Sequence, residues 1–348
     1  FSIERSSGRL YCCRRSEIFK NRFGTINQMA FPPPPSAARS VITVQGPLRY
    51  ECLGITDAHN HMWIEYVPGA DPSAPVLNQF NLILKELVEY REKGGNTLLD
   101  CQPEGCGRDG NQLLALSMAS KVNLIACTGF HRKKYYPQNY WFWRAGAQKV
   151  CDFLCSELEQ GLFETLETSS PVRAGFIKIA LESAWADCPC AALEGAASAA
   201  LKSKALMEIH TEKGALAEKA CIYFTDLGLL PSQLVLCHMD KRPDAGLHKE
   251  LARLGVLLEY DTFYRPKYDP SENLWPLIEK MVDAGFSDRV TLATDMAEAE
   301  LYRFIGGGAG LASLPGEIQD HLTQKGIPET ARKQMLGSNI ARRLARIN

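Results

Sequence analysis

Eight apolar runs of strand length, separated by amphipathic stretches of helical length, restrict this chain to very few folds. The runs are LGITD (53–57), NTLLDC (96–101), VNLIACTG (122–129), GFIKIA (175–180), ALMEIH (205–210), LVLCH (234–238), VLLEYD (256–261) and VTLATD (290–295). Helical periodicity lies between them, for example over 79–93, 110–121, 213–227, 243–254 and 271–285. Regular strand–helix alternation specifies parallel βα units. Eight of them predict an α/β fold, the closed (β/α)8 barrel, whose active site lies at the carboxyl ends of the strands. An open doubly wound sheet is the alternative. It gives no reason for the first and eighth strands to meet, whereas a barrel makes them neighbours.

The chemistry-bearing residues fall where a barrel would gather them. TDAHNHMW (56–63) sets His59 and His61 two residues apart at the end of an apolar run. Strand side chains alternate faces, so these two point the same way, and two imidazoles at a strand end can grip one divalent metal. Alone, such a pair as often packs or solvates. Three later runs end in His210, His238 and Asp295, and Lys178 sits inside another. Five candidate ligands at one rim make a metal centre the expectation. Lys178 in GFIKIA is a cation inside a strand. Burial favours its neutral amine, which adds carbon dioxide to give an anionic bridge for two cations. The alternative is a lysine whose stem packs while its amine reaches water.

Composition fits one large soluble domain: 348 residues, 45% hydrophobic and 23% charged. A net charge of -1 points to neither nucleic acid nor an anionic membrane as partner, and no apolar run approaches the roughly 20 residues that span a bilayer. A small-molecule substrate is expected, and a homodimer is compatible with the reading. Of the 12 cysteines, many lie in apolar segments, such as Cys127, Cys221 and Cys237. Cysteine packs there as a small hydrophobe, so free thiols and a reducing, cytoplasmic location are expected. Cys101 and Cys106 flank one loop and Cys188 and Cys190 bracket Pro189, without the second pair of a zinc ribbon. Residues 1–28 carry Arg5, Arg9, Arg14, Arg15, Lys20 and Arg22 without a period, and Pro32–Pro35 follow Met29. Residues 1–40 are read as a disordered extension with Met29 a plausible start, and 41–348 as the hydrolase domain.

Several motifs together carry a family resemblance: ITVQGPLRYECLGITDAHNH (42–61), NTLLDCQPEGCGRD (96–109), NLIACTGFH (123–131), GFIKIA (175–180), EIHTEKG (208–214), LVLCHMD (234–240), RVTLATD (289–295) and GSNIARRLA (337–345). From about Val41 onward the chain resembles the phosphotriesterase-like family of the amidohydrolase superfamily. That resemblance implies a (β/α)8 barrel with two metals. His59, His61 and Asp295 would hold the more buried metal, His210 and His238 the more exposed one, and Lys178, as a carbamate, would bridge both. Zinc suits so histidine-rich a site, and manganese or cobalt could replace it. Two divalent ions bring four positive charges against three negative from Asp295, the carbamate and a bridging hydroxide. The residual positive charge suits an anionic tetrahedral intermediate formed by attack of that hydroxide. Asp295 would take the proton and pass it to the leaving group.

Other residues read differently. His248 and His321 fall in helical segments and are expected to pack or solvate. His131, after TGF, is a candidate substrate contact, with loop capping as the alternative. Arg108 and Asp109 read as a brace of the rim. Lys213, Lys241 and Arg265 fall in rim loops or helix starts, where barrels set specificity; a point charge plus a guanidinium holds phosphate or carboxylate. Solvated charge is the plain alternative. This pattern resembles the branch that opens phosphorylated sugar lactones, and HMDKRPD (238–244) is too cationic for the organophosphate-degrading branch. Tyr135, Tyr136, Tyr140, Trp141 and Trp143 form either a lid or a packed loop. The reading is a metal-dependent hydrolase, a lactonase for an anionic sugar lactone. A phosphotriesterase or amide hydrolase using the same centre, and a barrel retained only for binding, are the alternatives.

Overall fold

Each of the eight apolar runs becomes a strand of one parallel sheet in a computed structural model, which describes residues 39–347. An antiparallel hairpin, β1 (Arg39–Thr43) and β2 (Gly46–Arg49), comes first. The sheet then follows as β3 (Ile55–Asn60), β4 (Gly95–Asp100), β5 (Asn123–Gly129), β6 (Phe176–Ala180), β7 (Met207–His210), β8 (Leu234–Leu236), β9 (Leu257–Tyr260) and β10 (Val290–Leu292). Neighbours in the sheet follow chain order from β3 to β10. The Asp295 backbone N–H donates to the His59 carbonyl at 3.0 Å and draws the two edges together. The fold is the expected (β/α)8 barrel, nearly closed. A final short strand, β11 (Arg346–Ile347), pairs with β1; the strand–helix alternation does not announce this three-stranded sheet, in which β1 is buried from Ser40 to Thr43 and β2 alternates half-buried and exposed residues.

Helices occupy all five expected stretches, as Phe80–Glu92, Gly110–Ser120, Ala217–Asp226, Ala245–Leu254 and Leu274–Asp283, and two more, Ala147–Glu159 and Cys190–Ser203, follow β5 and β6. The helix expected from 213 starts four residues later. Lys213, Gly214 and Leu216 all have positive φ there, which no helix tolerates. Asp109 caps its helix by accepting from the Asn111 and Gln112 N–H groups at 2.9 and 3.2 Å. One buried cluster joins Ala58, Leu99, Ile125, Phe176, Val235 and Leu257 from the strands to Val41 of β1 and to Ile340 and Leu344 of a C-terminal helix.

Strand ends differ from the sequence reading in an instructive way. The first run extends to Asn60, so His59 lies within β3. β8 and β10 stop short of His238 and Asp295, whose φ values are 62° and 45°. Left-handed backbone at non-glycine residues is costly and tends to mark functional sites. Gly129 ends β5 with φ +127°, and a Cβ there would lie 1.8 Å from the Lys178 carbonyl oxygen, so only glycine lets β5 lie this close to the lysine.

The boundary expected at residue 41 falls inside β1, which begins at Arg39. The expectation for residues 1–38 lies outside the described residues. Among the described residues, ten cysteines are free thiols, and no helix is long and apolar enough to cross a membrane.

Candidate functional site

A cavity of about 470 Å³ opens at the carboxyl ends of the strands, within the size range of small-molecule sites. His59, His61, His210, His238 and Asp295 all line it, as do His131, Lys241 and Arg265. Lys178 lies beneath, fully buried. The barrel therefore brings together all six residues expected at the metal centre. Of the three basics expected near them, it brings in two. Lys213 is exposed, in left-handed backbone, outside the cavity wall.

Alternation on β3 aims His59 and His61 inward, and outer partners fix both rings. His59 Nδ1 donates to Glu259 at 2.8 Å, and His61 Nδ1 to Gln102 at 2.7 Å. This leaves each Nε2 without a proton, and that of His59 lies 3.3 Å from Lys178 Nζ. Both Nε2 atoms lie 3.8 Å from Asp295 Oδ1. That spacing is comparable with the roughly 3.4 Å edge of a tetrahedron whose ligands sit about 2.1 Å from one ion. His238 Nδ1 donates to Asp261 at 2.5 Å, while its Nε2 lies 2.8 Å from His210 Nδ1. His210 Nε2 is buried, and Glu212 at 3.9 Å is beyond hydrogen-bond reach. Burial lowers the pKa of all four rings, most for His59 and His238, where Lys178 and Lys241 add to it. Neutral rings that each keep one unprotonated nitrogen are what a divalent metal needs, so these residues fit one.

Lys178 differs from the expectation. Burial pushes its pKa down, but Cys101, Cys237, Glu208 and Glu259 around it reverse that and hold it well above its ordinary value. Its Nζ contacts Glu208 Oε1 at 2.7 Å, Cys237 Sγ at 3.1 Å and both His59 ring nitrogens at 3.3 Å. Burial alone would favour a neutral amine, but these buried acidic groups keep the proton on it.

Asp295 has two faces. Oδ1 faces His59 and His61; Oδ2 lies 3.1 Å from Arg265 and 3.7 Å from Lys241. Burial would raise its pKa, but Arg265, His238 and Lys241 outweigh this and leave it lowered. Lys241 also approaches Asp261 at 3.6 Å and the face of Tyr268 at 5.6 Å. Arg265 also pairs with Glu298 at 2.8 Å. His131 Nδ1 accepts the Arg132 N–H at 2.7 Å, which leaves a donor Nε2–H. Its ring centroid lies 5.0 Å from that of His210.

Other expectations resolve simply. Arg108 is a brace, donating to the Cys127 carbonyl at 2.8 Å and to Glu157 and Glu164 at 3.0 and 2.8 Å. The aromatic loop is packed, with Trp143 against Phe130 and Tyr136, and of its five named rings only Tyr135 lines the cavity. His248 packs, accepting from the Tyr260 hydroxyl and donating to the Arg242 carbonyl. His321 stacks on Trp275. Sequence reasoning missed Gln102, Glu208, Glu259 and Asp261. A signal existed for the two glutamates, each a charge inside an apolar strand, two residues before His210 and Asp261 on the same face.

The model of the phosphotriesterase family matches residues 39–344. A phospho-furanose lactonase of Mycoplasmopsis synoviae is 28% identical over 324 residues, covering 87% of this chain and 91% of its own length. An N-acetyltaurine hydrolase of Salmo salar is 26% identical, covering 86% and 96%. The crystal structure of an amidohydrolase from Mycoplasma synoviae superposes with a TM-score of 0.82 at 27% identity, over 89% of this chain and 93% of that one.

Proposed function

This chain belongs to the phosphotriesterase family, and we propose that it is a metal-dependent lactonase opening an anionic, phosphorylated furanose lactone. One observation carries the reading. The carboxylate of Asp295 is shared between two unprotonated imidazole nitrogens on one side and two half-buried cations, Arg265 and Lys241, on the other. Chemistry and charge recognition are thereby set side by side in one cavity.

His59, His61 and Asp295 would hold one divalent metal, His210 and His238 a second, with Lys178 as a carbamate between them. Zinc suits this donor set, and manganese or cobalt are alternatives. When bound, such ions supply an acidified water and an electrophile for the ester carbonyl. Glu259, Gln102 and Asp261 keep the rings in the tautomer that presents nitrogen to the cavity. Asp295, held ionised by its cationic neighbours, accepts the proton released when water adds to the carbonyl. It returns that proton to the departing ring oxygen, so one C–O bond forms, one breaks, and a hydroxy acid results. Arg265 and Lys241 would bind the substrate's phosphate, and His131 Nε2–H would donate to a sugar oxygen. With ten free thiols among the described residues, a reducing, cytoplasmic location is part of this proposal.

The test is a panel of phosphorylated and neutral lactones with metal-loaded protein. Turnover of the phosphorylated lactones well above the neutral ones is expected; turnover of simple phosphotriesters alone would overturn the reading. A second reading, hydrolysis of an anionic amide, draws on the relatives named N-acetyltaurine hydrolase, since the same cations would hold a sulfonate. Acyl-taurines in the panel separate the two.

A further inference from the structure

Beneath the candidate ligands lies a layer of buried groups that the reaction scheme above does not use. Lys178 on β6 and Glu208 on β7 are cross-strand partners in the parallel sheet. Both side chains are fully buried, and Nζ lies 2.7 Å from Glu208 Oε1. The thiols of Cys101 and Cys237 donate to that same oxygen at 3.2 and 3.3 Å, which pins the carboxylate in place. Glu208 stands two residues before His210, so it occupies the same strand face one layer deeper.

A lysine carbamate makes one demand on such a layer. Starting from the ammonium, two protons leave for water, the nitrogen lone pair bonds the carbon of CO2, and one C=O electron pair moves onto oxygen. One N–H remains, on a planar, amide-like nitrogen. The two oxygens would be the atoms that hold the metals, which would leave the N–H to the surrounding protein. In a buried site it must find an acceptor. His59 is not that acceptor: its Nδ1 carries a proton given to Glu259, and its Nε2, 3.3 Å from Nζ, is the nitrogen that would hold a metal. The Cys237 thiol is a weak acceptor. Glu208 Oε1 is the strong acceptor within reach.

We propose that Glu208 is a positioning residue that accepts the remaining N–H of a Lys178 carbamate and so fixes the plane in which its two oxygens meet the metals. The inference rests on the carbamate reading of Lys178. Glu208 would also pair the free ammonium before carboxylation, so the same side chain holds the nitrogen in both forms.

The test uses the full chain with Glu208→Gln and Glu208→Met, both close in volume to glutamate. Each is incubated with zinc and 13C-bicarbonate. Three quantities are read: the carbamate 13C resonance, metal equivalents per chain, and Tm. Wild type should give the resonance and about two metals. Glu208→Gln, whose amide oxygen still accepts, should keep most of both. Glu208→Met should stay folded but lose the resonance by about tenfold or more, with the second metal weakened on the same scale. An undiminished or stronger resonance in Glu208→Met would overturn the proposal, and so would an equal loss in Glu208→Gln. A third metal equivalent that disappears with Glu208 would make it a ligand and also overturn it. Two metals with no resonance in wild type would instead remove the carbamate reading itself.

Discussion

At the floor of the cavity, His59, His61, Lys178 and His238 are at most 4% exposed, and each holds a buried partner on another strand or just beyond its end. At the rim, Arg132, Arg265 and Lys267 sit on loops among partly solvated acids such as Glu212 and Glu298. The floor is set by sheet register, which gives a side chain one direction and one neighbour. The rim is set by loop conformation and ion pairing, which water competes for. Under the proposed function, reactivity would belong to the floor and discrimination to the rim, and each assignment can be broken separately.

The largest effect should come from the floor. Asp295→Asn or His59→Ala should lower kcat roughly 10⁴-fold or more on every substrate, phosphorylated or neutral, as losses within one catalytic unit do. Steady-state kinetics on a matched pair of lactones checks this. A loss confined to the phosphorylated lactone would erase the division between floor and rim.

Rim variants should give a smaller, selective loss. Arg265→Met and Lys241→Met each remove a charge-assisted contact worth roughly 1.5–3 kcal/mol. They should therefore lower kcat/KM for a phosphorylated lactone by about one to two decades and change a neutral lactone much less. Both side chains also touch Asp295. Equal losses on the two substrates would mean they act through that carboxylate, and the rim would then be an extension of the floor.

The contrast also explains what the sequence disclosed. His59, His61, Lys178, His210, His238 and Asp295 were legible because each lies within or just beyond an apolar run, where barrel topology dictates its position. Glu208 and Glu259 occupy equally well-determined positions on β7 and β9, yet were passed over because a charge within an apolar run looks like noise. Lys213 shows the limit in the loops. It follows His210 by three, as Lys241 follows His238, but positive φ at Lys213 and Gly214 carries it to the surface, whereas the short turn after His238 keeps Lys241 inward. Spacing does not encode that difference. The β1–β2–β11 sheet escaped for another reason: β1 is a short buried strand outside the strand–helix alternation, β2 alternates half-buried and exposed residues, and β11 has two residues.

Two smaller effects probe the scaffold. Gly129→Ala should lower stability by roughly 3 kcal/mol, read as a fall in Tm, because the new Cβ meets the Lys178 carbonyl oxygen and the left-handed φ disfavours it. Activity lost from protein that remains folded would show the strain passing to Lys178. An unchanged Tm would mean that β5 can shift without cost. His248, away from the cavity, should contribute to the acid limb of stability. Burial lowers its pKa to about 4, against an unfolded value of roughly 6.5. The unfolded chain then binds the extra proton first, so stability is full above about pH 6.5 and falls as pH drops toward 4. Replacing His248 by Gln should flatten that limb in a plot of Tm against pH; an unchanged slope would assign the acid limb to other groups.

The floor is proposed to be a two-metal site. Its most direct test is elemental analysis of protein purified without chelator and again after incubation with zinc or manganese, alongside circular dichroism to establish folding. About two metal equivalents per folded chain are predicted, falling to one or fewer in Lys178→Ala. A well-folded wild-type chain that stays metal-free after incubation would contradict the account.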